Sequence, residues 1–597
     1  MNLKRSILLI FFITIIVYSN SLGGEFAYDD EYFVVKNINI RNLENIPSFF
    51  INPSAVAFAK LSEDVYRPIT TLSYTLDYFF WRLDTFGYHL ANVLFHSFNA
   101  ILLFLFLNAV LGNISIALLA SLFFACHPVQ TEVVSWISGR SSVLFLFFYL
   151  SALIFYVRFL KESKNIYFAY SLVLFALSLF SKEMAATLPL ILIIHDAHFP
   201  IKERIRNKIY RYMPYFMLAI FFVLTRSLVL KKISQCSWWG GSPYYTFLTM
   251  SRVLIEYIKL LIAPLKLCAF YFIDISKSIT ETRVLGSLAV LLLLLSALPI
   301  IFKRSRKASF SIWWFFITLL PVSNIIPLKA LMAERFLYLP SIGFCILLAI
   351  FIEKIGRMKF KPFAKREKII TGLIAATIIL LYSLRTMVRN EDWKDAVSIS
   401  KSIIKVSPLN PWGYTSLGTA YLGKEYYEEA AKALKKAVSL SMDYASPKNA
   451  LGFCYLQMGK YEDAVMMLRE AARLDPGNLE TMNSLGVTYG NMKKYDEAIK
   501  EFEASIKIDP TFVSAYINLG TVYEQRSEYE KALEQYKRIK ANTNSRQEIA
   551  ISYIRIGDVY IKMKLKDRAR KHYQKAIDMC GRGLEELRKV AIDRGRF

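Results

Sequence analysis

Eleven apolar runs, most approaching the roughly 20 residues that cross a bilayer, fill the first two thirds of this chain and leave it few ways to fold. They cover residues 7–18, 88–111, 115–125, 143–159, 167–180, 185–194, 215–230, 284–302, 310–326, 336–352 and 369–384. With 54% hydrophobic and 15% aromatic residues, the chain is too apolar for a purely soluble protein. The net charge of +26 would suggest nucleic acid in a soluble chain. Here much of the excess falls in short clusters between apolar runs: Arg158, Lys161 and Lys164, then Lys202 to Arg211, Lys303 to Lys307, and Lys354 to Lys368. That is the positive-inside pattern, so no nucleic-acid partner is expected.

Lys4 and Arg5 precede the first run, which places the amino terminus in the cytoplasm and residues 23–86 in a long extracytoplasmic loop. Ser19-Asn20-Ser21 is a weak cleavage site, and the many later spans favour a retained first helix over a signal peptide. A second external loop covers residues 231–283. Within it, 250–272 is apolar enough to span but carries Arg252, Glu256, Lys259, Pro264 and Lys266. A full crossing there would turn the Lys303–Lys307 cluster outward, so a re-entrant or interfacial helix is expected.

From Arg389 the composition becomes that of a soluble helical protein. Leu417-Gly418, Leu451-Gly452, Leu485-Gly486 and Leu519-Gly520 recur every 34 residues, in phase with Tyr421, Tyr455, Tyr489 and Tyr523 and with Ala430, Ala464, Ala498 and Ala532. That period is the tetratricopeptide signature. An insertion near residues 542–547 shifts the next unit to Ile556-Gly557, Tyr560 and Ala569, and Trp393 with Ala396 marks an incomplete first unit. The expected fold is all-α: a polytopic helical membrane domain (1–388), followed by a tetratricopeptide repeat solenoid (389–597) on the extracytoplasmic side with a concave binding face.

Three consecutive acids, Asp29, Asp30 and Glu31, follow the first span. Side by side at a membrane margin they repel one another, so at least one should carry a raised pKa and act as a base near neutral pH. A solvated acidic loop is the plainer reading. Other polar residues stand at expected outer ends of spans: Arg67, His89, His127, Glu132, Arg140, Lys182, Glu183, Glu334 and Arg335. Each has a bland alternative: His127-Pro128 ends a helix, Lys182-Glu183 and Glu334-Arg335 are local ion pairs, and His96 is a satisfied core histidine. Cys126, Cys236, Cys268, Cys345, Cys454 and Cys580 form no CxxC pair and indicate neither a zinc site nor a disulfide framework.

Eight blocks taken in order are similar to one family. They are Phe26-Ala27-Tyr28-Asp29-Asp30, Tyr66-Arg67-Pro68-Ile69-Thr70, Gly87-Tyr88-His89-Leu90-Ala91-Asn92 with His96, and His127-Pro128-Val129 with Thr131-Glu132. Gly139-Arg140, Ser181-Lys182-Glu183, Ala333-Glu334-Arg335-Phe336-Leu337-Tyr338-Leu339-Pro340, and Arg389-Asn390 with Trp393 complete the set. Followed by the repeats, they resemble the transmembrane and tetratricopeptide repeat O-mannosyltransferases, within the GT-C fold of membrane glycosyltransferases. The short loops and the Lys, Ile and Phe bias suggest a microbial homologue.

The resemblance implies transfer of a sugar, usually mannose, from a polyprenyl phosphate to a Ser or Thr hydroxyl of a protein acceptor, inverting the anomeric centre. It implies Asp30 as base, supported by Asp29 or Glu31. Arg335, Lys182, Arg140 or Arg67 would sit on the donor phosphate, with His89, His127, Glu132, Glu183, Glu334 and Tyr338 in support. The partners implied are membrane lipid, the lipid-linked sugar, the acceptor, and a protein held by the repeats. No metal is assigned; a divalent cation stays open, although it needs more oxygen ligands than the triplet shows. Two rival readings are an envelope polysaccharide polymerase or ligase and a membrane-anchored scaffold without catalysis.

Overall fold

The computed structural model describes residues 2–57, 65–200, 203–231, 236–356, 367–543, 545–580 and 584–596. All regular elements among those residues are helices, with no strand, and the residues divide into two units, Met1–Val406 and Ser407–Phe597.

In the first unit, six helices are long and apolar enough to cross a membrane: Leu3–Ser21, Thr85–Leu111, Ile137–Glu162, Ile205–Leu230, Thr282–Arg304 and Ile369–Asp392. A seventh candidate is the pair Ile114–Cys126 and Pro128–Ser135, bent by 52° at the break between them. The break falls on His127, whose conformation is extended because a proline follows it. The other expected spans lie on shorter helices, among them Asn165–Ser181, Leu188–His198, Arg306–Leu319 and Ser341–Gly356. The polar stretch near 250–272 forms a helix, Pro243–Ile262, that buries Thr249, Val253, Tyr257 and Leu261 and exposes the Lys259–Glu256 pair. It then runs on without helix to Glu281.

The long helices separate into inner and peripheral ones. Windows in Thr85–Leu111 and Ile137–Glu162 are 50% and 56% buried inside the protein, against 17% for Ile205–Leu230 and for Thr282–Arg304. The peripheral pair shows Phe221, Leu224, Leu228, Leu292 and Leu293 on its surface, as lipid-facing helices do. The inner core packs Phe104, Phe106, Phe123, Phe145, Tyr149 and Trp314 together. Apolar surface gives helices no reason to prefer each other over lipid, so close approach and polar contacts between helices hold the bundle. Asn99 donates to the Val143 carbonyl (2.9 Å), Ser178 to that of Phe145 (2.8 Å) and Ser171 to that of Ala152 (2.7 Å). At Gly343 a Cβ would stand 2.3 Å from the backbone oxygen of Ser311, so these helices touch only because that residue is glycine.

The second unit stacks five helix pairs, from Pro411–Gly423 with Tyr427–Leu440 to Arg546–Lys562 with Lys566–Met579, and closes with Glu585–Arg594. The repeating Leu-Gly pairs have one cause. A Cβ on Gly418, Gly452, Gly486, Gly520 or Gly557 would meet the side chain 16 residues later, at Leu434, Leu468, Phe502, Tyr536 or Tyr573, within 2.4–2.6 Å. Each glycine admits the partner helix of its own repeat.

Gly343→Ala should lower the melting temperature of the purified protein in detergent, at a cost of about 1–3 kcal/mol for forcing backbones apart. Gly286→Ala, where nothing lies within 4 Å of the added Cβ, serves as the control and should not. Scanning both variants by thermal fluorescence checks this.

Candidate active site

The first loop turns back on itself immediately before the acids. Tyr28 has φ +52°, in the left-handed region that non-glycine residues rarely adopt, and the backbone from Glu31 to Val35 then coils into a short π-helix. This geometry sends the three acids to different places. Asp30 is 1% exposed and its oxygens are filled: one accepts the backbone N–H of Ser138 (2.8 Å) and the Ser138 hydroxyl, the other the N–H of Ala27 (2.9 Å). Burial lifts its pKa to about 7 while those donors restrain it. Glu31 lies at the surface, 3.3 Å from Lys36. Asp29 is partly exposed. Burial raises its pKa, against the pull of Arg335, Arg67 and Lys329.

The cations of this site are spaced by carboxylates from distant segments. Arg67 stands just before the helix Pro68–Trp81 and forks onto Glu183, Nη2 at 2.8 Å from Oε1 and Nε at 3.2 Å from Oε2. Arg335 donates its backbone N–H (2.8 Å) and its guanidinium to Glu132, which is fully buried, and its guanidinium lies 5.9 Å from the ring centre of Trp136. Lys182 is 3% exposed, with Nζ 2.7 Å from the Ser142 hydroxyl. Burial, with the charges of Arg67 and Arg335, lowers its pKa to about 7. Glu183 goes the other way: burial works against it, but Arg67 and Lys182 hold it at about 2. Neither adjacent pair closes on itself. Glu183 belongs to Arg67 and not Lys182, and Glu334 belongs to Arg389 (3.4 Å) and not Arg335.

Arg140 stands apart from the other cations. It is 1% exposed and its donors are committed to Asp77 (2.7 Å), the Tyr88 carbonyl (2.9 Å), Asn92 and Ser73. That leaves it a bracing role beneath the first loop. Two histidines, His127 and His96, are likewise engaged at both ring nitrogens. His127 Nδ1 accepts the Val129 N–H (3.2 Å), so Nε2 donates to the Leu261 carbonyl (3.0 Å). His96 sits between the Tyr338 hydroxyl (2.8 Å) and the Ala125 carbonyl (3.1 Å), and His89 packs under Gly24, where a Cβ would stand 2.8 Å from Nε2. Glu334 is buried and accepts from the Tyr271 hydroxyl (2.9 Å), the Cys268 N–H and Arg389. Burial and the charge of Glu132 raise its pKa to about 7, opposed by Arg389.

Sequence reasoning missed Ser138, Asp77, Ser142, Tyr271 and Lys329. Ser138 adjoins the quoted Gly139-Arg140 and was within reach of the motif; Lys329, in a loop with no pattern, was not. Among the described residues no three His, Cys, Asp or Glu side chains gather as a metal cluster.

Fold and site together define a multi-span helical membrane protein with a tetratricopeptide array. Tetratricopeptide repeat models match residues 413–443, 443–511 and 511–582. A protein O-mannosyl-transferase of Caenorhabditis elegans, F38B6.6, is 30% identical over 457 residues, 74% of this chain and 63% of its own. Human protein O-mannosyl-transferase TMTC3 is 26% identical, over 74% of this chain and 52% of its own. Among solved structures, MamA is 25% identical with a TM-score of 0.25, covering 29% of this chain and 97% of its own. The chain is thus a relative of the transmembrane and tetratricopeptide repeat O-mannosyltransferases, the family its motifs resemble. It spans between half and two thirds of these transferases' length.

Arg140→Gln removes the cation from a buried ion pair with Asp77, and breaking such a pair costs about 3–5 kcal/mol. The yield of monodisperse protein on size exclusion should fall sharply. Glu31→Gln, in a surface pair worth about 0–1 kcal/mol, should leave it unchanged.

Proposed function

We propose that this protein transfers a sugar, mannose in keeping with its relatives' names, from a polyprenyl phosphate to Ser or Thr hydroxyls of proteins at the extracytoplasmic face of a membrane. The observation that carries this reading is Asp29, the one acid of the triplet with neither its oxygens filled nor a surface partner, set among Arg335, Arg67 and Lys329 with Lys182 beside them. An alcohol attacking an anomeric carbon must lose a proton, and a lipid phosphate must leave with its charge stabilised. A raised carboxylate next to a group of cations supplies both.

In this reading Asp29 is the base. Asp30 holds the loop by gripping Ser138 and Ala27. Arg335 and Arg67, 30% and 21% exposed, meet the phosphate with Lys182, while Glu132 and Glu183 orient them. Arg140, His89, His127, Glu334 and Tyr338 support the scaffold. Displacement by a protein hydroxyl on the face opposite the phosphate inverts the anomeric centre. Lys4, Arg5 and the basic clusters between spans support a cytoplasmic amino terminus, with the acids and the repeats on the far side. The unit Met1–Val406 would carry the transfer, and the repeats beyond it would hold the acceptor or a partner.

Membranes holding wild type, Asp29→Asn or Asp30→Asn at matched expression, given labelled polyprenyl phosphate mannose, test the reading. Wild type should label protein, Asp29→Asn should lose at least about 100-fold, and Asp30→Asn should lose activity together with loop order. Equal labelling by wild type and Asp29→Asn would remove Asp29 from the mechanism. No labelling with any lipid-linked sugar would favour a scaffold.

The pH profile is a second check. kcat/KM should rise as Asp29 loses its proton, at a pH above the ordinary carboxylate range, and fall above about 7 as free-site Lys182 loses its charge. Lys182→Arg stays charged and should abolish the falling limb.

A further inference from the structure

The segment that follows the last long helix reaches back to the acidic loop at three points. The N–H of Glu25 donates to the carbonyl of Lys394 (2.7 Å). Trp393 stacks on Trp136 with ring centres 5.7 Å apart and planes at 28°, and Trp136 in turn donates to the Ala27 carbonyl (3.1 Å). The Tyr28 hydroxyl lies 3.0 Å from Ser400 Oγ. Ser400 gives its own proton to the Ala396 carbonyl at 2.7 Å, so in the Tyr28 contact the phenol is the donor and Ser400 the acceptor. Tyr28 is also the residue with φ +52°, and Asp29 comes next.

A left-handed tyrosine does not hold that conformation on its own, because an L side chain crowds the backbone there and neighbouring wells are lower. Something outside the turn must hold it. Asp30 fixes the turn from one side, through Ala27 and Ser138, and Ser400 fixes the ring of Tyr28 from the other. Asp29 follows directly on this restrained turn.

We propose that Tyr28 is a positioning residue for Asp29 and that Ser400, on the helix Ala396–Val406, is its anchor. This inference rests on the transferase reading for its kinetic consequence and on geometry alone for its structural one. It makes the stretch leading into the repeats a working part of the site. That helix ends at Val406, and the repeat unit begins at the next residue.

The test uses the full-length protein with Tyr28→Phe, Ser400→Ala, the double variant and Ser400→Thr, read in two ways. In sugar transfer from polyprenyl phosphate mannose, each single variant should lower kcat by roughly tenfold with donor KM unchanged, since small misplacements of a catalytic group reduce rate without removing the phosphate-binding cations. The double variant should lose no more than either single one, and Ser400→Thr, which keeps the accepting oxygen, should recover the rate. In hydrogen–deuterium exchange, the amides of residues 29–33 should exchange faster in both single variants and at the wild-type rate in Ser400→Thr. Losses that multiply in the double variant would overturn the proposal, as would exchange over residues 29–33 that matches wild type. If wild type transfers no sugar, the transferase reading fails by itself, and the exchange measurement still decides whether Ser400 holds the loop.

Discussion

A charge at the margin of an apolar bundle needs either a partner of opposite sign or a full set of hydrogen bonds, and the arrangement around the first loop follows from that demand. Arg67 finds Glu183 116 residues away, Arg335 finds Glu132 203 residues away, and Arg389 finds Glu334 55 residues away. Because the partners lie on different helices or loops, each pair fixes the relative position of two segments that apolar contact alone leaves free to slide. Removing Arg335 or Arg389 leaves Glu132 or Glu334 buried without its cation, so these carboxylates depend on their partners. The same demand explains why His127 needs no charge. With a ring nitrogen of His127 accepting from a backbone N–H and the other donating to a carbonyl, both groups and the helix ends they cap are satisfied without a charge.

The restraints on the acids have a direction. Asp30 is closed off by donors from a turn 108 residues away, Glu31 faces solvent, and Asp29 is turned toward cations. A triplet of like charges in a poorly hydrated loop cannot be uniformly ionised, and this structure resolves the conflict by dividing the acids among three environments. The division requires the uncommon backbone at Tyr28, whose strain is held by contacts from Ser400 and through Asp30. Strain of this kind is stored where surrounding structure over-determines it, and here that structure includes the helix Ala396–Val406, which follows the last long helix.

How far the sequence could be read depended on whether a feature is local. The 34-residue period is written along the chain, and the reason for it, a glycine that admits a side chain 16 residues on, operates within one repeat. The apolar runs are local too, yet the number of crossings is not. Helices as short as Leu188–His198 gain their place from neighbours, and only six of the described helices qualify by length and composition. Charge counting misleads where a basic residue is buried: Arg211 stands in a cluster read as topological, but it is held by Asp196 and Glu203. The motif blocks named these residues without ranking them. Which acid is exposed depends on Ser138, and whether Arg140 is available depends on Asp77 and Asn92, facts of packing that no spacing within a block expresses.

The balance of charge at the site bears on what it can accept. Arg67, Arg335, Lys182 and Lys329 act on Asp29, Glu132 and Glu183, so the cations exceed the carboxylates by one when every group is ionised. With Lys182 near 7, part of that excess is suppressed at neutral pH. An entering phosphodiester, carrying a single negative charge, would restore the proton on Lys182 and complete the balance. A nucleoside diphosphate would bring at least two negative charges to the same cations and leave one unmatched. Under the proposed transferase reading, this balance suits a singly charged donor phosphate, which is the chemistry of a lipid-linked monophosphate sugar.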